Sequence, residues 1–304
     1  MLIVPAAPAF MARRPTMAPL PAKSPASPAA WKAMFELSRI VRFCIDLAAD
    51  EAGGARDVQR HNTFAGHPPL TAVGVFYELL VRIRGEPDPA TGYLLNISAI
   101  DRAVRARAVP IVTDAVRRAP GRDAAAVLHD VVRALRSELK ERLFSVRWTL
   151  TPYYSLTMRT DAMSRVMLSQ SFDFAAAHRL HCPAMSDEEN RAVFGRCNNP
   201  NGHGHNYRLQ VDASTPLDPA AGDGGGRLML PALEKIVDET VIRRFDHTHL
   251  NLDTVEFAAI NPSVENIARV CHGLLAGPIA AAGARLERIT VWETDRTSCT
   301  YPAC

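Results

Sequence analysis

Long apolar runs are missing from this 304-residue chain, and no stretch could span a bilayer as a helix, so no membrane partner is expected. Cysteine pairs are missing too. Cys44, Cys182, Cys197, Cys271, Cys299 and Cys304 form no CxxC, and a chain of this length can bury a core without disulfides, which points to a reducing cytoplasm. Charge of one sign is scarce: the net charge is only +3 with histidine neutral, and the basic residues are spread out. That argues against nucleic acid as the main partner and leaves a small molecule as the default.

What is present is the composition of a globular protein, 47% apolar and 22% charged, with length for two domains. Residues 1–30 are rich in Pro and Ala, which oppose regular helix and offer little to bury, so they read as a disordered extension. They do not read as a secretory signal, because Arg13 and Arg14 follow the apolar run and prolines interrupt it.

Beyond Trp31 two stretches repeat one pattern of strand, long excursion, strand, turn, strand, helix, helix and strand, which predicts a tandem duplication. In the second copy Val166 to Phe174 alternates, and Arg227 to Leu230 reads as a short strand. The stretch PALEKIVDETVIRRF carries Leu233, Ile236, Val237, Val241 and Phe245 on one helical stripe, and Ser263 caps a further helix. Aligning VGVFYELLV with HGHNYRLQV sets Val73 and Val75 of the first copy where His203 and His205 stand in the second. The first copy therefore lacks whatever those histidines bind.

His203 and His205, two apart on a strand, project to one face, and Gly204 leaves the other side of that position open. His178 ends a neighbouring strand, where antiparallel pairing can bring it across from them. Three neutral imidazoles suit zinc and leave a coordination position open, although any one histidine alone would read as an ordinary polar residue. Cys197, in a loop of Asn, Pro and Gly six residues before His203, is a candidate reactive thiol. Asp246 and His247 are a candidate carboxylate–imidazole pair, whereas Glu265 and Glu293 alone read as a first-turn and a strand-end carboxylate.

Together FDFAAAHRL, SDEEN, FGRCNNPNGHGHNY, FDHTHLNLD, PSVENIA and VWETD resemble, over residues 166–301, the 6-pyruvoyl-tetrahydropterin synthase family, whose members share the T-fold (tunnelling fold). The resemblance implies an α+β architecture. Each copy would be an antiparallel four-stranded sheet with two helices on one face, the copies assembling into a barrel, with a degenerate T-fold at 35–160 and a catalytic one at 165–304.

The resemblance also implies zinc on His178, His203 and His205, proton transfer by Cys197, Asp246 and His247, and a pterin pocket made by Glu293, Glu265 and Ser263. A carboxylate suits the pterin edge because it can accept two parallel N–H donors. Arg179 reads either as a triphosphate contact or as a solvated arginine. The implied reaction turns 7,8-dihydroneopterin triphosphate into 6-pyruvoyl-tetrahydropterin, in a homo-oligomeric ring. Five residues separate Cys197 from His203, which favours that product over the 6-carboxytetrahydropterin of relatives with a shorter CxxxHGH. A non-catalytic pterin or metal binder is the alternative class.

Overall fold

The computed structural model describes residues 34–47, 73–218 and 227–303, so the extension expected at 1–30 lies outside the described residues. In chain order the elements begin with β1 (Phe35–Asp46) and β2 (Gly74–Gly85). The helices α1 (Ile97–Ala103), α2 (Val109–Arg118) and α3 (Ala124–Leu139) follow, a π-helical turn at Val104–Ala108 joining the first two. Next come β3 (Leu143–Thr151), β4 (Tyr154–Arg159), β5 (Arg165–His178), α4 (Asp187–Phe194) and β6 (His203–Pro216).

A second helical run, α5 (Leu230–Val237) and α6 (Arg243–Phe245), is again joined by a π-helical turn, at Asp238–Ile242. The chain closes with β7 (Thr248–His249), α7 (Leu250–Asp253), α8 (Val264–Ala281), β8 (Arg285–Thr294) and β9 (Thr297–Tyr301).

The strands form one sheet in the order β1-β2-β3-β4-β5-β6-β8-β9, antiparallel throughout, with β7 lying parallel beside the end of β5. Strand alternation makes one face apolar: Val41, Phe43 and Ile45 on β1, Leu79, Val81 and Ile83 on β2, and Tyr207, Leu209 and Val211 on β6 are all buried. Onto that face pack the stripes Leu128, Val131, Val132 and Leu135 of α3 and Ile267, Cys271, Leu275 and Ile279 of α8, one helical turn apart. Each such fully buried aliphatic side chain contributes about 2 kcal/mol. Asp123 starts α3 by accepting from Ala125 N at 3.3 Å, and Ser263 starts α8 by accepting from Asn266 N at 3.4 Å.

Apart from α4 and the two-residue β7, both halves run through two long strands, a helical run and a closing pair of strands. Phe43 faces Tyr77 across β1 and β2 as Phe174 faces Tyr207 across β5 and β6, and Leu79 faces Trp148 as Leu209 faces Val291. Counting four residues back from Tyr77 and Tyr207 sets Val73 at His203 and Val75 at His205. Four residues on from Phe43 and Phe174 stand Leu47 and His178, and two on from Trp148 and Val291 stand Leu150 and Glu293, so the first half is apolar where the second is polar.

Two expectations are revised. Residues 227–229 form no strand, and the stretch that read as one closing strand, FSVRWTLTPYYSLTM, folds into the β3–β4 hairpin because Thr151 Oγ1 accepts from Tyr153 N and Tyr154 N and turns the chain. The sheet of one chain is also open, with β1 and β9 at its edges, so the chain does not close a barrel alone.

The halves are joined twice. Tyr154 to Thr157 of β4 pair with Met167 to Gln170 of β5, and the buried Arg227 guanidinium is ion-paired to the buried Asp123 carboxylate.

Candidate metal centre and active site

β5 ends at His178, which pairs directly with His203 at the start of β6, while Ala176 pairs with His205. The pairing puts three imidazoles on the helix-covered face. Their ring centroids lie 4.5 Å (His178–His203), 5.2 Å (His178–His205) and 4.8 Å (His203–His205) apart, and one nitrogen of each lies within 4.8 Å of the others.

His178 is fully buried, and its Nδ1 lies 2.7 Å from the carbonyl oxygen of Pro262, just ahead of α8. A carbonyl can only accept, so Nδ1 carries the proton and Nε2 presents a lone pair to the cluster. Burial drives the His178 pKa down to about 4, and burial with the neighbouring His205 lowers that of His203. These imidazoles are therefore neutral at neutral pH, as metal ligands must be.

His178 Nε2 and His203 Nε2 are only 3.1 Å apart, and His203 Nδ1 and His205 Nε2 are buried without a hydrogen-bond partner. Converging, neutral, under-satisfied nitrogens fit a divalent cation that favours imidazole. Glu293, near the end of β8, turns Oε1 into the same space, 3.5 Å from His178 Nε2 and 3.4 Å from His205 Nε2.

Two residues not singled out from the sequence complete the surroundings. Tyr207, next on the HxHxY face, is fully buried with its hydroxyl 3.5 Å from His178 Nδ1 and its ring stacked on Phe174 at 5.0 Å. Burial, and then the charges of Glu293 and Cys197, raise its pKa, so it stays a phenol. His249 on β7 is the other. Gly202 has φ +73°, and a Cβ there would lie 2.6 Å from His249 Nε2 and 3.0 Å from the His178 carbonyl oxygen, so only glycine fits this turn. The alternation of HGHNY and of HTH carried both signals. Gly204 has room for a Cβ, whose nearest neighbour would be Ala176 O at 3.6 Å.

Cys197 lies in a short 3-10 turn after α4, and its carbonyl accepts from Leu180 N at 2.8 Å, two residues past His178. The SDEEN motif builds the approach. Ser186 and Glu189 form a capping box, and buried Asn190 bonds Cys182, Met185 and Ser186. Arg179 donates through Nε to the carbonyl and side-chain oxygens of Asn198, at 3.3 and 3.2 Å, and so holds the Cys197 turn.

Asp246 and His247 are placed elsewhere, on the edge of β5. Asp246 Oδ1 accepts from Ala175 N at 2.8 Å, His247 N donates to Ala175 O at 2.6 Å, and His247 Nδ1 lies 2.8 Å from Asp246 Oδ2. The Ala175 N–H, followed by His247, holds the Asp246 carboxyl below the usual carboxylate range. The His247 imidazole is 82% exposed and lines an open cleft with His205 and His249. Ser263 and Glu265 lie at the start of α8, where the Ser263 hydroxyl lowers the exposed Glu265 carboxyl's pKa.

A family profile described as 6-pyruvoyl tetrahydropterin synthase matches residues 167–304. The 6-pyruvoyl tetrahydrobiopterin synthase of Homo sapiens is 36% identical over 137 residues, which are 45% of this chain and 91% of that protein. The chain belongs to the 6-pyruvoyl tetrahydropterin synthase family.

A putative 6-pyruvoyl tetrahydrobiopterin synthase of Caenorhabditis elegans is 35% identical over 144 residues, 47% of this chain and 98% of that protein. The solved structure of the 6-pyruvoyl tetrahydropterin synthase of Caenorhabditis elegans matches with 33% identity and a TM-score of 0.42, covering 46% of this chain and 96% of that one. The synthase profile spans the three histidines, Cys197 and Glu293 and does not reach the first half.

Proposed function

We propose that the second half, residues 165–304, converts 7,8-dihydroneopterin triphosphate into 6-pyruvoyl-tetrahydropterin with release of triphosphate, using zinc on His178, His203 and His205. The observation that carries this reading is the convergence of three imidazole nitrogens within 4.8 Å of one another, in a chain whose second half is 36% identical to the human synthase across nearly all of that protein. Zinc bound there supplies Lewis acidity, which makes protons on an adjoining hydroxylated side chain easier to remove.

The chain's own residues supply the rest. Cys197, on a turn tied to the strand-end loop just past His178, acts as a base in its thiolate form. Asp246 keeps a proton on His247 Nδ1, which leaves Nε2 as the nitrogen that accepts or returns a proton. Glu293 anchors the pterin ring, and its place between His178 and His205 sets that ring against the metal ligands. Glu265 and Ser263 form the other wall of the pocket. A reducing cytoplasm keeps Cys197 a thiol.

The first half, residues 35–160, is in this reading a degenerate T-fold that binds no metal, arisen with the second half by tandem duplication. Its support is the set Leu47, Val73, Val75 and Leu150 at the positions of His178, His203, His205 and Glu293. The chain is further read as a homo-oligomeric ring. β1 and β9 are open edges, Phe35 and Ile40 of β1 are exposed, and the β4–β5 junction offers a template for β9 to pair with β1 of another copy.

Incubation of the zinc-loaded chain with dihydroneopterin triphosphate should give a product with the mass of the pyruvoyl pterin. Unchanged substrate would refute the activity. Metal analysis should give one zinc per chain, and two would refute the degenerate first half.

A further inference from the structure

The first half carries a cleft that pterin chemistry does not use. Leu95, Ala99, Ala103 and Leu139 line its floor, between α1 with its π-helical turn and the end of α3. Its rim is basic. Arg107 is matched by Glu138 at 2.6 Å, but Arg102 donates only to the neutral Ser98 hydroxyl at 3.1 Å, and Lys140 and Arg142 make no side-chain hydrogen bond or ion pair among the described residues. Among the described residues Glu141 is the other carboxylate lining the cleft, and the nearby Asp88 carboxyl is held low by hydrogen bonds from Thr91 and Ala90 and, after these, by Arg142.

Lys140 is also in an unfavourable backbone conformation, with φ 52° and ψ −139°, a region almost reserved for glycine. The second half has glycine at the matching place: eight residues before the paired positions Trp148 and Val291 stand Lys140 and Gly283, the latter with φ +76°. A lysine kept where glycine is the unstrained choice puts an ammonium group on this rim against the preference of the backbone.

We propose that this cleft binds a small amphipathic anion, a short alkyl chain ending in a carboxylate or a phosphate monoester. The alkyl chain lies on the Leu95, Ala99, Ala103 and Leu139 floor, and the anionic head sits between Lys140 and Arg142. Nothing in the proposal depends on the pterin reaction.

The test is calorimetric titration of the full chain with octanoate, octyl phosphate and the neutral octanamide. At least one anion should bind saturably at one site per chain, octanamide should not, and the stronger anion identifies the head group. Lys140→Gly should weaken binding about tenfold while raising the melting temperature, and Arg142→Gln should weaken it by a similar factor without that rise. His205→Ala should bind as the parent does. The proposal falls if neither anion binds saturably, if octanamide binds equally well, if Lys140→Gly leaves the affinity unchanged, or if His205→Ala abolishes binding.

Discussion

Replacing Arg227 with Met tests how the two halves are held together. The Arg227 and Asp123 side chains are only 2% and 4% exposed, and two guanidinium nitrogens reach the carboxylate, one of them at 3.3 Å. The same carboxylate caps α3 through Ala125 N. Without its partner it remains buried and uncompensated, which costs about 3–5 kcal/mol. For a chain of this size that corresponds to a fall in melting temperature of roughly 5–8 °C.

Asp123→Asn combined with Arg227→Met removes the charge and keeps a capping oxygen, so the double variant should recover at least about half of the loss. Thermal and urea unfolding of the parent, both single variants and the double variant measure each term. A loss below about 1 kcal/mol in Arg227→Met, or a double variant as unstable as that single one, would refute the reasoning. Metal stoichiometry should not change, because the pair joins α3 to the segment before α5 and touches no imidazole.

Three further outcomes are expected. His178 is pushed from 6.5 to about 4, so the metal-free fold favours its neutral form; this contribution is complete above pH 6.5 and lost as pH falls towards 4, roughly 3 kcal/mol in all. Urea unfolding of the chelated protein at pH 7 and pH 4.5 should show most of that loss, and His178→Gln should remove the His178 share of the pH dependence and leave that of His203. Gly202→Ala combines a positive φ with a Cβ 2.6 Å from His249 Nε2, so it should cost about 2 kcal/mol, part of it recovered by adding His249→Ala. Failure of the second change to recover stability would mean the φ strain dominates. Cys197→Ala should keep the metal and lose turnover, whereas His205→Ala should lose both; metal analysis beside the product assay separates them.

The meeting of the three histidines was legible because strand alternation fixes faces. HGH on one strand and a strand-ending histidine on its neighbour left one arrangement in which three imidazoles meet, and His178 opposite His203 is that arrangement. The valines at 73 and 75 followed from the same periodicity. Periodicity says nothing about which distant groups meet a face. The Pro262 carbonyl behind His178, the turn of Glu293 towards the imidazoles and the use of Arg179 to hold Asn198 all depend on loops whose paths the sequence does not encode by spacing. Arg227 to Leu230 read as a short strand, but Arg227 is buried against Asp123, 104 residues away, and residues 227–229 pair with no strand. The Asp246–His247 pair was recognised correctly as a pair, and its position on the β5 edge followed from backbone bonds to Ala175.

The pairing of β4 with β5 has a further consequence. Tyr154 to Thr157 occupy Met167 to Gln170 of β5 within the same polypeptide, so another copy cannot pair with β5 along that stretch. Asymmetry is thereby written into the covalent chain: every half that carries the three histidines has a half without them as its fixed neighbour, at an effective concentration set by the short turn between β4 and β5 and independent of protein concentration. A weak interface suffices under such tethering. Substitutions at the seam should therefore change how the halves pack before they affect whether the halves associate.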